Sequence, residues 1–181
     1  VSSSPLTENL DNMRQMEDAG AAAIVLHSLF EEQILMERTQ LKYGHTWDVG
    51  DGPESLSYVK AMKDYNLGAE GYLDHIRKAK EAVSIPVIGS LNATYTGSWV
   101  SYAGKMQQAG ADAIELNIYY IPTDPEVTGI EIENRYLDTL WDVTSNISVP
   151  IAVKFHPYFS SIGNMAYRLD QAGADGLVLF N

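Results

Sequence analysis

The sequence predicts an α/β fold of the (β/α)8 TIM-barrel class, and its 181 residues provide about the first six βα units. One phrase occurs three times: a helix end, then Ala-Gly-Ala, then a short apolar strand. Its copies lie at 17–28, 107–118 and 170–181. A second phrase, in which Pro opens a strand, occurs at 84–92 and 148–156. The two phrases alternate, which indicates a repeated strand–helix unit.

The strands are predicted from runs of Ile, Val, Leu and Ala that lack a polar alternation. These runs lie at about 21–27, 85–91, 112–118, 150–156 and 176–180. A short stub of a further strand is expected at 1–4. Runs of this kind are typical of parallel strands that are buried on both faces. The glycine in each copy of the first phrase, Gly20, Gly110 or Gly173, is expected to end a helix in a left-handed conformation.

Amphipathic helices are predicted between the strands, at 7–19, 70–83, 98–109, 129–146 and 161–172. The interval between the first two strands is long enough to hold an insertion as well. Its Gly- and aromatic-rich part, 42–68, is expected to be a functional loop or lid within a single domain of residues 1–181. A doubly wound sheet is the alternative fold, but no Gly-x-Gly-x-x-Gly or Walker phosphate loop follows any strand.

Composition narrows the class of protein. The formal net charge is -12, which disfavours binding to nucleic acid or to anionic lipid. The absence of cysteine excludes disulfides, thiolate metal sites and a cysteine nucleophile from this sequence. No apolar run approaches the roughly 20 residues of a membrane helix, and metal-ligand spacing is lacking. We therefore expect a cytoplasmic protein that acts on a small molecule, with no metal.

Polar residues follow the predicted strands, at the ends where barrel enzymes place their chemistry. They are Ser3, Ser4, His27, Ser28, Asn92, Asn117, Lys154, His156 and Asn181. We expect them to surround a common mouth. The alternatives are structural: an Asn at a strand end is often a turn residue, His27 is equally compatible with the core, and Ser28 is a candidate cap for a helix at 28–40.

Lys154 is the most informative of these residues. It follows Ile151-Ala152-Val153 inside an apolar strand, where an unpartnered ammonium is rarely tolerated. A cation there indicates a site for an anion or for a reduced, negatively charged cofactor. The alternative is an ion pair with Glu115 on the neighbouring strand. His45 and His75 are expected to be exposed to solvent.

Several phrases resemble the dihydroorotate dehydrogenase family, and more closely its bacterial dihydroorotate dehydrogenase-like branch. They are Val1-Ser2-Ser3-Ser4-Pro5-Leu6-Thr7, Ile85-Pro86-Val87-Ile88-Gly89-Ser90-Leu91-Asn92, Glu115-Leu116-Asn117-Ile118, Ala152-Val153-Lys154-Phe155-His156-Pro157-Tyr158-Phe159 and Gly176-Leu177-Val178-Leu179-Phe180-Asn181. The resemblance implies an FMN-containing barrel of pyrimidine metabolism, in which a dihydropyrimidine passes hydride to flavin N5.

The resemblance also assigns roles to residues. Ser3 and Ser4 match small residues that approach FMN, and Lys154 matches the lysine at the flavin N1/O2 edge. Asn117 matches an Asn that touches flavin and substrate. The implied FMN set is Ser3, Ser4, His27, Ser28, Asn92, Asn117 and Lys154, and the implied substrate set is Asn66, Asn117 and Asn181.

The sequence departs from the family pattern in three ways. Tyr120 stands where the family has a Cys or Ser base, so Tyr120 and Lys154 are the candidate catalytic residues. His27 replaces the lysine of the second-strand motif, and the seventh and eighth strands are absent. A homodimer or a partner subunit is therefore expected to cover the missing strands. The alternative functions are a non-catalytic flavin-binding scaffold and a Schiff-base lyase that uses Lys154.

Overall fold

The computed structural model describes residues 1–31, 69–92 and 96–180. After a 3-10 turn at Pro5–Glu8, the described helices are α1 (Leu10–Asp18), α2 (Ala69–Ala82), α3 (Thr96–Gln108), α4 (Gly129–Thr144) and α5 (Ile162–Gln171). The described strands are β1 (Ile24–Phe30), β2 (Val87–Asn92), β3 (Ala113–Asn117), β4 (Ile151–Phe155) and β5 (Gly176–Leu179). The inserted region predicted at 42–68 lies outside the described residues.

The strands form one parallel sheet in the order β1-β2-β3-β4-β5. Each of the helices α1 to α5 contacts the next of them along the chain. A doubly wound sheet reverses its strand order at a switch point and carries helices on both faces. Neither feature occurs in the described part of the chain, so the arrangement is an α/β arc consistent with part of a TIM-barrel-like fold.

The hydrophobic core lies between the sheet and the helices. Strand side chains that face the helices, such as Ile114, Leu116 and Val153, are fully buried. Gly89 faces the same way, since a Cβ there would lie 3.1 Å from the Sδ atom of Met106 on α3. Apolar side chains on the opposite face are only partly buried, as at Val25, Ile88, Ala113, Ala152 and Val178. The prediction of burial on both faces therefore holds fully for one face only.

The two sequence phrases are joined by a repeated hydrogen bond. Asp112 follows Gly110 and accepts the N–H of Val87 through Oδ2 at 2.7 Å. Asp175 follows Gly173 and accepts the N–H of Ile151 in the same way, at 2.8 Å. Gly20, Gly110 and Gly173 all have positive φ, of 90°, 100° and 101°, as expected for left-handed helix ends. Each aspartate thus holds the start of the strand before its own in position.

The first strand differs from its prediction. β1 begins and ends three residues later than the expected 21–27, so Ser28 lies within the strand and does not cap a helix. In the short strand expected at 1–4, Val1 is bonded through its backbone to β1 and to the residue before it. Its N-terminal ammonium donates to the Ala23 carbonyl at 2.8 Å. The Val1 carbonyl in turn accepts from the Val25 N–H at 3.0 Å, which is the bonding pattern of a parallel bridge.

A bulge in β1 is held by a tyrosine hydroxyl. Val25 pairs with Ile88 and Ser28 with Ser90, so two residues of β1 lie between these pairs where β2 has one. The hydroxyl of Tyr72, on α2, accepts the Ser90 N–H at 2.9 Å and donates to the Ser90 carbonyl at 3.1 Å. Burial raises the pKa of Tyr72 above its ordinary value, so the phenol stays protonated. One side chain thus satisfies both backbone groups beside the bulge.

Two histidines pack beside this tyrosine, and the expectation that His75 is exposed was wrong. His75 is 6% exposed because it lies on the face of α2 that carries Tyr72 and packs on the sheet. Its Nε2 lies 2.8 Å from the carbonyl of Thr7, whose Oγ1 accepts the N–H of His27 at 2.8 Å. The His27 ring lies 5.1 Å from the Tyr72 ring and 5.5 Å from the His75 ring. Burial, with a smaller contribution from His75, lowers the pKa of His27 to about 4.

Removing the Tyr72 hydroxyl tests the bulge. We expect Tyr72→Phe to lower the free energy of unfolding by about 1–3 kcal/mol, because the N–H and carbonyl of Ser90 lose their partner inside the core. Tyr167→Phe, at a ring that is 62% exposed, is the matched control. Equal losses in the two variants, measured by denaturant titration, would contradict this account of the bulge.

The pKa of His27 predicts an acid-sensitive fold. The unfolded chain binds this proton near pH 6.5 and the folded chain only near pH 4, so stability falls as pH is lowered between these values. Gln does not titrate, so His27→Gln should remove this part of the loss. The measurement is the free energy of unfolding of both proteins at about pH 7 and about pH 4.5. An unchanged acid-side loss in the variant would refute the assignment to His27.

Candidate active site at the carboxyl ends of the strands

Three of the predicted residues meet at one edge of the sheet. Asn117 ends β3, and its Cα is paired with that of Lys154 on β4. Asn92 ends β2, one residue beyond the pair formed by Leu91 and Leu116. Strand alternation turns all three away from the helix-facing residues on either side of them. The expected common mouth therefore contains Asn92, Asn117 and Lys154, whereas Asn66 and Asn181 lie outside the described residues.

The side chain of Asn117 presents an unused acceptor. The residue is 7% exposed, and its Oδ1 atom has no hydrogen-bond partner in the described part of the chain. An acceptor left without a donor in a buried place costs free energy, so it is an unusual feature in a folded protein. Its place beside Lys154 points to a ligand with an N–H or O–H group.

Lys154 presents an unused cation. Its backbone carbonyl holds the Ile118 N–H at 3.0 Å, which fixes the residue at the end of β4. Among the described residues, no carboxylate oxygen lies within 4.0 Å of the Nζ atom of Lys154. The alternative of an ion pair with Glu115 is therefore not realised. Glu115 is paired with Ala152 and reaches Lys154 only diagonally, close enough for their charges to interact.

A second polar row lies one layer below the mouth. Ser3 Oγ lies 3.4 Å from Ser28 Oγ, and Ser28 Oγ lies 2.8 Å from Ser90 Oγ. Ser90 donates its hydroxyl to Oε1 of Glu115 at 3.1 Å. Glu115 is 1% exposed, and burial raises the pKa of its carboxyl above the ordinary value, although Lys154 and Ser90 oppose this shift. Sequence reasoning treated Glu115 only as a possible partner of Lys154 and did not find this row.

Two of the predicted cofactor residues have other surroundings. Ser4 uses its carbonyl to accept the N–H and hydroxyl of Thr7, at 3.1 and 2.8 Å, and so begins the 3-10 turn. The ring of His27 packs against Tyr72 and His75 on the helix side of the sheet. The prediction had placed His27 at a strand end. β1 instead continues to Phe30, and the bulge separates His27 from the row that contains Ser28.

The remaining candidates, Tyr120 and His156, line a cavity between the loops that follow β3 and β4. The cavity has a volume of about 320 Å³, and several of its lining residues are aromatic. The lining is Tyr119, Tyr120, Ile121, Pro122, Gly129, Ile132, Glu133, His156, Tyr158, Phe159 and Ser160. The Tyr120 ring lies 4.8 Å from the guanidinium of Arg135 on α4. Among the described residues, no hydrogen bond or ring contact joins Tyr120 to Lys154 or Asn117. The sequence signal for this cavity was the aromatic residues that follow the two strands.

His156 is held in that cavity by a hydrogen bond and a ring contact. Its Nδ1 accepts the N–H of Tyr158 at 3.0 Å, and its ring stacks on Phe159 with centroids 4.7 Å apart. Burial lowers the pKa of His156 below its ordinary value, which favours the neutral imidazole. In the parts of the chain described, no group of three His, Asp or Glu side chains is arranged to hold a metal ion. No helix in those parts is long and apolar enough to cross a membrane.

The fold is shared with solved structures of low sequence identity. Dihydrodipicolinate synthase from Agrobacterium tumefaciens matches 94% of this chain and 47% of its own, with a TM-score of 0.57 and 16% identity. Phosphonopyruvate hydrolase matches 97% of this chain and 55% of its own, with a TM-score of 0.54 and 16% identity. At this identity the likeness concerns the fold alone. No family model matches the chain.

The chain is similar in sequence to proteins named dihydroorotate dehydrogenase. The catalytic subunit of dihydroorotate dehydrogenase B (NAD(+)) from Thermoplasma acidophilum is 33% identical over the whole chain, which spans 57% of that relative. The corresponding subunit from Thermoplasma volcanium is 31% identical, again over the whole chain and 56% of the relative. The chain thus spans a little over half the length of these relatives. The resemblance to the dihydroorotate dehydrogenase family is therefore confirmed, and it extends over all of this chain.

Proposed function

We propose that this chain carries part of the active site of an FMN-dependent oxidoreductase that oxidises a dihydropyrimidine such as dihydroorotate. The observation that carries the proposal is the pair at the mouth: the unpaired ammonium of Lys154 beside the unpartnered amide oxygen of Asn117. The curated relatives named dihydroorotate dehydrogenase support the oxidoreductase class. A place in pyrimidine biosynthesis and in the cytoplasm belongs to the same proposal.

The donor and acceptor set at the mouth fits FMN. When bound, FMN accepts a hydride at N5 and gathers negative charge along its N1/O2 edge. Lys154 offers a cation that is not neutralised by an ion pair, and Asn117 offers an acceptor for an imide N–H of the flavin or of a pyrimidine. A fixed ammonium that meets developing charge lowers the barrier more than one that must first leave an ion pair.

The other residues have supporting roles in the proposal. Asn92 lies level with Asn117 at the mouth, and Ser3 and Ser28 lie in the polar row one layer below; all three are proposed to approach FMN. Asn66 and Asn181 are proposed to bind the substrate. Tyr120 stays the predicted general base, on the family position alone. Association with a second copy of the chain or with a partner subunit also belongs to the proposal.

Flavin binding is the first test. We expect the complete protein to show a flavin absorbance spectrum after purification or after reconstitution with FMN. Lys154→Met should weaken FMN binding by roughly tenfold to a hundredfold, because a hydrogen bond to a charged group is lost. Lys78→Met is the matched control, since that lysine pairs with Asp74 on the exposed surface of α2. A colourless wild-type protein after reconstitution would sink the proposal.

Reduction of the bound flavin by a substrate distinguishes a catalytic protein from one that only binds flavin. Dihydroorotate should bleach the flavin absorbance in stopped-flow mixing, and Tyr120→Phe should slow this at least ~100-fold because Phe accepts no proton. Reduction by dithionite should be unaffected, and Tyr167→Phe is the control at an exposed ring. Failure of every dihydropyrimidine to bleach the wild type would favour the non-catalytic scaffold. Borohydride trapping of a carbonyl compound on Lys154 would favour the lyase.

A further inference from the structure

We propose that Glu115 takes up one proton when negative charge arrives at Lys154, and that the hydroxyls of Ser90, Ser28 and Ser3 connect it to solvent. The inference rests on the proposed function and deepens it, because it assigns the charge balance of the same site. Glu115 is a buried carboxylate one layer below the mouth, and the proposed reaction does not yet use it.

The surroundings of Glu115 make its charge depend on Lys154. The residue is 1% exposed, and the one hydrogen bond of its carboxyl group among the described residues is the 3.1 Å bond from the Ser90 hydroxyl. The ammonium of Lys154, on the adjacent strand, is the cation that favours its ionised form. Burial disfavours that form and is the largest of the effects on the pKa of Glu115, whereas Lys154 and the Ser90 hydrogen bond favour it.

No other described group can take the place of Lys154. From α2, the neutral phenol of Tyr72 approaches through its bonds to the Ser90 backbone, and Glu115 contributes to raising the pKa of that phenol. From β2 comes the Ser90 hydroxyl, and β4 places Ala152 opposite Glu115. An anion that binds the ammonium of Lys154 therefore offsets the cationic support of Glu115, and the carboxyl becomes easier to protonate.

The serine row supplies a route for the proton. Hydroxyl oxygens at successive distances of 3.1, 2.8 and 3.4 Å lead from Glu115 through Ser90 and Ser28 to Ser3. Each hydroxyl both donates and accepts, so all three can point towards the carboxylate or away from it. Ser3 is only partly buried and thus meets solvent. Tyr72 bonds the Ser90 backbone, which leaves the Ser90 side chain to serve the row.

The proposal fixes the number of protons that enter the site when the flavin is reduced. In the proposed reaction the substrate gives up a hydride, which carries two electrons and one proton, and its second proton leaves to the general base. The hydride adds one negative charge next to Lys154. Glu115 then takes one proton from solvent, so the net charge of the site is unchanged. For every two electrons, two protons therefore enter the site, whereas one would enter if Glu115 took up none.

Redox titration of the bound flavin counts these protons. Spectroelectrochemistry of the FMN-loaded complete protein, over about pH 5 to 9, gives the number of protons taken up per two electrons from the pH dependence of the midpoint potential. We expect two in the wild type over part of this range, and one throughout in Glu115→Gln. Glu126→Gln makes the same charge change on an exposed loop and should still show two where the wild type does.

The outcomes separate this inference from the proposed function. A wild type that binds FMN but takes up one proton at every pH, or a Glu115→Gln protein that still takes up two, overturns the role of Glu115 alone. Absence of bound FMN overturns the proposed function. Should Glu115→Gln fail to fold, Ser90→Ala is the second variant. Loss of its hydrogen bond should move the two-proton region to higher pH, and an unmoved region counts against the inference.

Discussion

The register of the first strand pair decides what the site contains. Side chains alternate between the two faces of a strand, so a shift of one residue exchanges the faces. The bulge between Val25 and Ser28 produces such a shift and brings Ser28 opposite Ser90. The bulge persists because the Tyr72 hydroxyl satisfies the backbone of Ser90. A residue of the helix layer thus determines which polar groups of β1 face the mouth.

The same parallel register distributes charge over two layers. Lys154 and Asn117 share the upper layer, whereas Glu115 lies in the layer below, opposite Ala152. The offset keeps the ammonium and the carboxylate beyond ion-pair distance but within each other's field. A direct pair would neutralise the cation on which the proposed flavin site depends. A larger separation would leave a buried carboxylate with little to favour its charged form, since the effect of a neighbouring charge falls with distance.

The sequence repeat explains how the starts of two strands are held in position. Asp112 and Asp175 each bind the first free N–H after a strand-opening proline, so each βα unit sets the start of the strand before its own. The first copy of the phrase has Ala22 in the equivalent place and therefore lacks this bond. There the chain is held by Val1, which bonds to both Ala23 and Val25.

Local signals in the sequence were sufficient for the repeating unit, the parallel sheet, the helix-ending glycines and the polar strand ends, because each depends on residues close together in the chain. Lys154 and Asn117 were also found there, since a polar residue after an apolar strand is a local pattern. The bulge, the packing of His27 against His75, and the row from Ser3 to Glu115 were decided only by the tertiary structure. They depend on contacts between residues 18 to 68 positions apart, and on which face of a strand each side chain occupies. A sequence of buried parallel strands without polar alternation does not encode that choice of face; packing against α2 makes it.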